Sequence, residues 1–287
     1  MSIKQYFKRG LNYILTGVPN NIVYPQIVNI NSSNLLEGRN ALITGGTSGI
    51  GKSIAIAFLK AGASVVITGR NRSKVDAVIN EIKKINSDYN IFGLDLDNTD
   101  INSFHEKLEE IESMLSKTQI DILVNNAGIN GGILNSCSEE EYDIVMNTNL
   151  KGMIFLTRVV SKRMIQKKIQ GNILNIASSS SLRPATTAYT LSKWGIRGLT
   201  VGWAKKLIQH GIVVNGIAPG PTATPMLIKE GTDSIYLPNN PSHRYVMPEE
   251  IANFAVILSS GLGRMVIGDI LYITGGAGTI TVDDINY

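Results

Sequence analysis

Residues 44–51 read TGGTSGIG, between an apolar run at 41–44 and a helical pattern that begins at Ile50. Glycines at 45, 46, 49 and 51 let the backbone turn tightly and let a phosphate approach, while the unpaired N–H groups that open a helix attract its negative charge. Glycine clusters also end strands for structural reasons alone, yet a strand before and a helix after favour a bound pyrophosphate. The spacing differs from the G-x-G-x-x-G of the common dinucleotide fingerprint. Gly45, Thr47, Ser48, Gly49, Ile50 and Gly51 are therefore the first candidate binding residues.

From Asn40 onward, short β-branched runs alternate with amphipathic helical stretches. That alternation predicts an α/β chain, a three-layer doubly wound Rossmann fold whose parallel sheet is covered by helices on both faces. Seven strands are expected, at 41–44, 64–68, 90–94, 120–124, 172–176, 212–217 and 270–273. Helices are expected at 50–61, 72–86, 101–116, 139–168, 188–210 and 248–258, and each crossover is long enough for a right-handed βαβ unit. In such a sheet ligands bind beyond the carboxyl ends of the strands, so chemistry is sought there.

Composition narrows the partners. With 43% apolar and 17% charged residues in 287, the chain is an ordinary globular protein, read as one domain over 37–287 behind an N-terminal extension, 1–36. A net charge of +4 without a basic block argues against nucleic acid. The lone Cys137 cannot form an internal disulfide, which points to a reducing, cytoplasmic setting. His105, His210 and His243 are scattered and make no metal site.

The extension holds no Asp or Glu, and Ile3, Phe7, Leu11, Ile14 and Leu15 recur at helical spacing opposite Lys4, Lys8 and Arg9. It lacks the long apolar run of a secretory signal and the Arg and Ser content of a transit peptide. A helix and arm packed on the domain or a neighbouring subunit is expected, with a membrane-surface helix as the lesser alternative.

Further motifs stand at the other strand ends. Asn125-Asn126-Ala127-Gly128 follows the fourth strand, Asn147-Thr148-Asn149-Leu150-Lys151-Gly152 lies in the next helix, Tyr189 and Lys193 are four apart in the following one, and Pro219-Gly220-Pro221-Thr222-Ala223-Thr224 follows the sixth strand. With the T-G-x-x-x-G-x-G turn, Gly268 and Gly275-Gly276, these resemble the short-chain dehydrogenase/reductase family over residues 36 to 280. The resemblance implies a nicotinamide cofactor bound by the glycine turn, by Asp95-Leu96 after the third strand, by Asn126, Ala127 and Gly128, by Tyr189 and Lys193, and by Pro219, Gly220, Thr222 and Thr224.

The end of the second strand reads Thr68-Gly69-Arg70-Asn71-Arg72, with no acid where an NAD enzyme places one for the ribose 2′-hydroxyl. Arg70, with Arg72 near it, suits a 2′-phosphate, so the expected cofactor is NADP(H), with NAD(H) the alternative.

Residues four apart on a helix share a face, so Tyr189 and Lys193 can enter one cleft, where an ammonium favours tyrosinate and brings the phenol towards a usable pKa. By the resemblance, Tyr189 gives a proton to the developing alkoxide as hydride arrives, Ser178 hydrogen-bonds the same oxygen, Lys193 holds the ribose, and Asn149 carries a water that reconnects Lys193 to solvent. Ser178 precedes Tyr189 by eleven residues where the family usually shows about thirteen, so Ser179 and Ser180 stay open as alternatives, and Arg183-Pro184 in the shortened loop is expected to shape the pocket.

The expected activity is reversible hydride transfer between NADP(H) and a small-molecule carbonyl or secondary alcohol, set against an NAD-linked dehydrogenase and a nucleotide sensor without chemistry. Residues 226–246, rich in Gly, Pro and Asn, are expected to form a mobile lid over the substrate. The broadly apolar helices 150–169 and 188–210 could face the core alone, but the resemblance implies that they also pack against another subunit, in a homodimer or homotetramer.

Overall fold

In the computed structural model of the chain, residues 34–115, 119–227 and 234–280 are described. The extension helix proposed for residues 1–36 lies almost wholly outside them.

Seven parallel strands form one sheet in the order β3-β2-β1-β4-β5-β6-β7. They are β1 (Asn40–Ile43), β2 (Ser64–Gly69), β3 (Ile91–Asp95), β4 (Ile122–Asn125), β5 (Asn172–Ile176), β6 (Val213–Pro219) and β7 (Ile270–Ile273). The helices are α1 (Gly49–Lys60), α2 (Arg72–Ile85), α3 (Phe104–Met114), α4 (Glu139–Met146), α5 (Gly152–Gln166), α6 (Ala188–Leu207) and α7 (Pro248–Ser259).

Central strands such as β4 and β6 are buried along their whole length, which is why they read as continuous apolar runs instead of alternating ones. One face of the sheet packs Ile54, Phe58 and Val75 from α1 and α2 with Ile251 and Val256 from α7. The other packs Phe104, Leu108 and Ile111 from α3 with Leu156 and Met164 from α5 and Ala204 and Leu207 from α6. The doubly wound, three-layer architecture expected from the alternation is the one observed.

Local signals set the helix starts. Asn71 accepts the N–H of Lys74 ahead of α2, Thr187 accepts that of Thr190 ahead of α6, and Ser138 with Glu141 makes a reciprocal capping box on α4. Pro248 opens α7 where its missing N–H costs nothing.

The expected continuous helix 139–168 differs in one place. Asn147–Lys151 forms a π-turn between α4 and α5, a widening that no residue type in Asn147-Thr148-Asn149-Leu150-Lys151 marks in advance.

The switch point of the sheet lies between β1 and β4, where Ile43 pairs with Val124. That register sets the glycine turn beside residues 125–128. At the opposite end Arg39 ties three strands together, donating to Asp121 at 2.5 Å and to Asn172 at 2.9 Å.

Candidate active site

The carboxyl ends of β1, β2, β4, β5 and β6 surround a cleft of about 370 Å³. Its floor begins where Thr44 and Asn126 interlock the first and fourth loops. Thr44 Oγ1 accepts the N–H groups of Asn126 (3.0 Å) and Ala127 (3.1 Å), and Asn126 Nδ2 donates to the carbonyls of Thr44 and Gly45, both at 3.0 Å. Gly45 has φ +64°, and a Cβ there would stand 2.9 Å from Ala127 Cα. Gly51 is buried beneath the turn, where a Cβ would meet Asn126 Nδ2 and the Gly45 carbonyl at 2.4 Å.

Ser48 caps α1 in extended backbone with no side-chain capping bond, and the first turn of α1 carries no acid. The positive end of the helix dipole and its free N–H groups are thus left for an anion, and the bare glycine surface above them admits one closely. These residues fit the pyrophosphate of a dinucleotide.

Every nucleotide-binding residue inferred from sequence lines this cleft except Gly51, which supports the turn from below, and Asp95. Asp95 stands at the end of β3 with its carboxylate 3.4 Å from Lys107 Nζ. Arg70 lines the cleft beyond Gly69, and none of the described residues makes an ion pair with it. Arg72 is otherwise engaged: Nε pairs with Asp76 at 3.0 Å and Nη1 donates to the Gly93 carbonyl at 3.2 Å.

Tyr189 and Lys193 both enter the cleft from the first turns of α6, with Lys193 Nζ 5.5 Å from the Tyr189 ring centroid. Lys193 is buried and its Nζ donates to the Ile176 carbonyl at 2.9 Å. Burial pushes its pKa down to about 8. Burial pushes the Tyr189 phenol up, partly countered by a hydrogen bond with Ser178. The ammonium therefore stands near the ring without dominating the phenol, unlike the simple pairing expected from i, i+4 spacing.

Of the serine run only Ser178 lines the cleft. Its Oγ accepts the Ser180 N–H at 3.1 Å, and Ser181 donates to its carbonyl at 2.7 Å, so the 3₁₀ turn Ser179–Leu182 folds the other serines away from the cleft wall.

Asn149 is buried at the centre of the π-turn and does not line the cleft. Its Oδ1 accepts the Ile129 N–H (2.8 Å), and its Nδ2 donates to the Ile129 carbonyl (2.9 Å) and to Ser192 Oγ (3.1 Å). Ser192 in turn donates to the Tyr189 carbonyl at 2.6 Å. Both amide hydrogens are spent on holding Ile129 to the start of α6, while Oδ1 keeps one acceptor lone pair beyond the Ile129 N–H.

Met226 and Leu227, which open the expected lid, are on the cleft wall, as is Ile129; sequence reasoning passed over Asn98, Thr148 and Pro225, which are there too. Thr148 adjoins the asparagine that was singled out, so its position was the available signal; the others carried none. The Ser234–Val246 part of the expected lid is tied to the body: Arg244 pairs with Glu250 at 2.6 Å, Asn240 Nδ2 donates to the Thr274 carbonyl at 3.2 Å, and Ser242 N donates to the Gly275 carbonyl at 3.0 Å.

The model of the short chain dehydrogenase family matches residues 39–234. A 3-oxoacyl-[acyl-carrier-protein] reductase of Thermotoga maritima is 35% identical over 246 residues, spanning 84% of this chain and 98% of the relative. A gluconate 5-dehydrogenase of Gluconobacter oxydans is 34% identical over 250 residues, spanning 84% and 95%. Among solved structures, a putative gluconate dehydrogenase from Agrobacterium tumefaciens superimposes with a TM-score of 0.78 at 32% identity, covering 88% of this chain and all (100%) of the other. The 3-ketoacyl-(acyl-carrier-protein) reductase of Brucella melitensis complexed with NADH gives 0.75 at 30% identity, covering 85% and 99%. Likeness of this extent, along nearly the whole of each relative, goes beyond a shared sheet order: the chain belongs to the short-chain dehydrogenase family and is an oxidoreductase.

Proposed function

We propose that the protein is an NADP(H)-dependent oxidoreductase that interconverts a carbonyl and a secondary alcohol, with Tyr189 as general acid and base. The observation that carries this reading is that Tyr189, Lys193 and Ser178 line the same cleft as the glycine turn.

The glycine turn and the start of α1 would hold the pyrophosphate, Leu96 and Arg70 the adenosine half, and Pro219, Gly220, Thr222 and Thr224 the nicotinamide half. Bound there, the nicotinamide supplies or accepts the hydride. Tyr189 releases its phenolic proton to the carbonyl oxygen as that oxygen gains charge. Ser178 hydrogen-bonds the same oxygen. Lys193, cationic below about pH 8, stabilises the tyrosinate left behind and donates to the ribose hydroxyls. Asn149 acts as a positioning residue, fixing the loop over which the nicotinamide would lie.

Arg70, on the cleft wall with no acid from Thr68 to Arg72, supports the 2′-phosphate. NAD(H) remains a second reading, favoured by the NADH complex of the Brucella relative. Exposed Leu191 and Trp194 on α6 support a homo-oligomer. The lone Cys137 supports a cytoplasmic setting, and among the described residues no helix is long and apolar enough to cross a membrane.

The direct test uses NADPH carrying deuterium at both C4 positions with an accepted ketone. Deuterium on the carbinol carbon of the product is expected; a product without it would contradict hydride transfer.

A further inference from the structure

One stretch of the cleft wall, at Pro225, Met226 and Leu227, is apolar and uncharged. Met226 and Leu227, the last residues described after the Thr222–Thr224 segment, line the cleft while 57% and 48% exposed. On the other side the strip 131–134 runs antiparallel to the residues leading into α6, with Ala188 N donating to the Gly132 carbonyl at 2.7 Å and Leu134 N to that of Thr186 at 3.0 Å. Ile133 and Leu134 on that strip are 60% and 40% exposed. A single exposed apolar side chain needs no explanation, but Met226 and Leu227 side by side on the cleft wall leave apolar surface that a ligand would cover, with Ile133 and Leu134 on the strip bonded to the start of α6.

Charge points the same way. Among the described residues only Arg70 and Lys193 line the cleft with charged side chains. Arg70 stands beyond the end of β2, and Lys193 is buried with its Nζ on the Ile176 carbonyl. Among the described residues, a substrate carboxylate beside Tyr189 would meet no cation other than Lys193, whose Nζ is already held by the Ile176 carbonyl.

Resting on the oxidoreductase reading of the same cleft, we infer that the substrate is a neutral ketone, or the matching secondary alcohol, carrying an apolar chain next to the reacting carbon. Polyhydroxy acids of the gluconate type, which have no apolar chain to cover Met226 and Leu227, are expected to be the poorer substrates. The reaction balances as hydride from NADPH to the carbonyl carbon and one proton, through Tyr189, to the carbonyl oxygen.

The test measures NADPH-dependent reduction of a homologous series of 2-alkanones from butanone to 2-decanone, with 5-ketogluconate alongside. Burying each added methylene is expected to raise kcat/KM, by up to about fourfold per carbon, until the rim is filled, and 5-ketogluconate is expected to be slower than 2-octanone. In the variant carrying Met226→Ser and Leu227→Ser that slope is expected to flatten, with NADPH fluorescence enhancement showing that the protein is folded. A flat wild-type series, or 5-ketogluconate reduced faster than the long ketones, would overturn the inference, and the wild-type series decides even if the variant does not fold. Reduction of no carbonyl at all, with NADPH still bound, would overturn the oxidoreductase mechanism itself and so is told apart from a wrong choice of substrate.

Discussion

Lys193 shows what the catalytic arrangement costs. An ammonium held near pKa 8 in the folded chain and near 10.5 when unfolded means that the unfolded chain binds more protons between those values. Stability should thus rise as pH goes from about 8 to about 10, and the buried charge costs about 3 kcal/mol at neutral pH. Replacing Lys193 by Met removes that cost but leaves the Ile176 carbonyl without its donor, worth about 1 kcal/mol. Urea unfolding at pH 7 is expected to find Lys193→Met more stable than wild type by about 2 kcal/mol and without the alkaline rise. A variant less stable than wild type would show that the ammonium is better solvated than its burial implies.

Arg70 makes a sharper prediction about the cofactor. A guanidinium on a 2′-phosphate contributes about 1.5–3 kcal/mol, so Arg70→Ala is expected to weaken NADPH roughly tenfold to a hundredfold while NADH binding stays within about twofold. Equal loss for both nucleotides, read by fluorescence titration, would move the 2′ recognition elsewhere. At this scale the sequence was informative wherever chemistry needs a particular side chain: Tyr189, Lys193, Ser178 and Arg70 stand on the cleft wall. It reached Met226 and Leu227 only as part of a segment over the cleft, and was silent on Asn98 and Pro225, whose residue types do not mark a cleft wall.

The glycine turn, the fourth loop and the start of α1 behave as one element. Their contacts are backbone to backbone or through the side chains of Thr44 and Asn126, so the side chain that is absent at Gly51 matters as much as those present. Gly51→Ala would push a methyl group into Asn126 Nδ2 and the Gly45 carbonyl. It is expected to cost about 1–3 kcal/mol of stability and to weaken either nucleotide equally, unlike Arg70→Ala. Calorimetry with and without nucleotide checks both, and an unaltered Tm with unaltered affinity would mean that the turn relaxes freely. The strands and most helices were legible because burial on both faces imposes unbroken apolar runs and because caps such as Ser138 and Thr187 mark helix starts. The π-turn was not legible, since nothing in the residue types Asn147 to Lys151 distinguishes a π-turn from an α-turn. The anchoring of Ser234–Val246 was hidden for a different reason: it depends on Arg244 and Asn240 meeting Glu250 and Thr274, residues distant in sequence.

Across the whole molecule, a sheet that merely stacks strands places the nucleotide turn, the Asn149 clamp and the Tyr189 helix around one opening, because all its strands run the same way and end on the same side. The central claim is that this opening works through one phenolic proton. The most direct measurement compares wild type and Tyr189→Phe in single turnovers of a ketone with prebound NADPH. The account predicts a rate lower by about 10²–10⁴-fold with NADPH affinity unchanged within about twofold. A phenylalanine variant that reduces the ketone at the wild-type rate would contradict it.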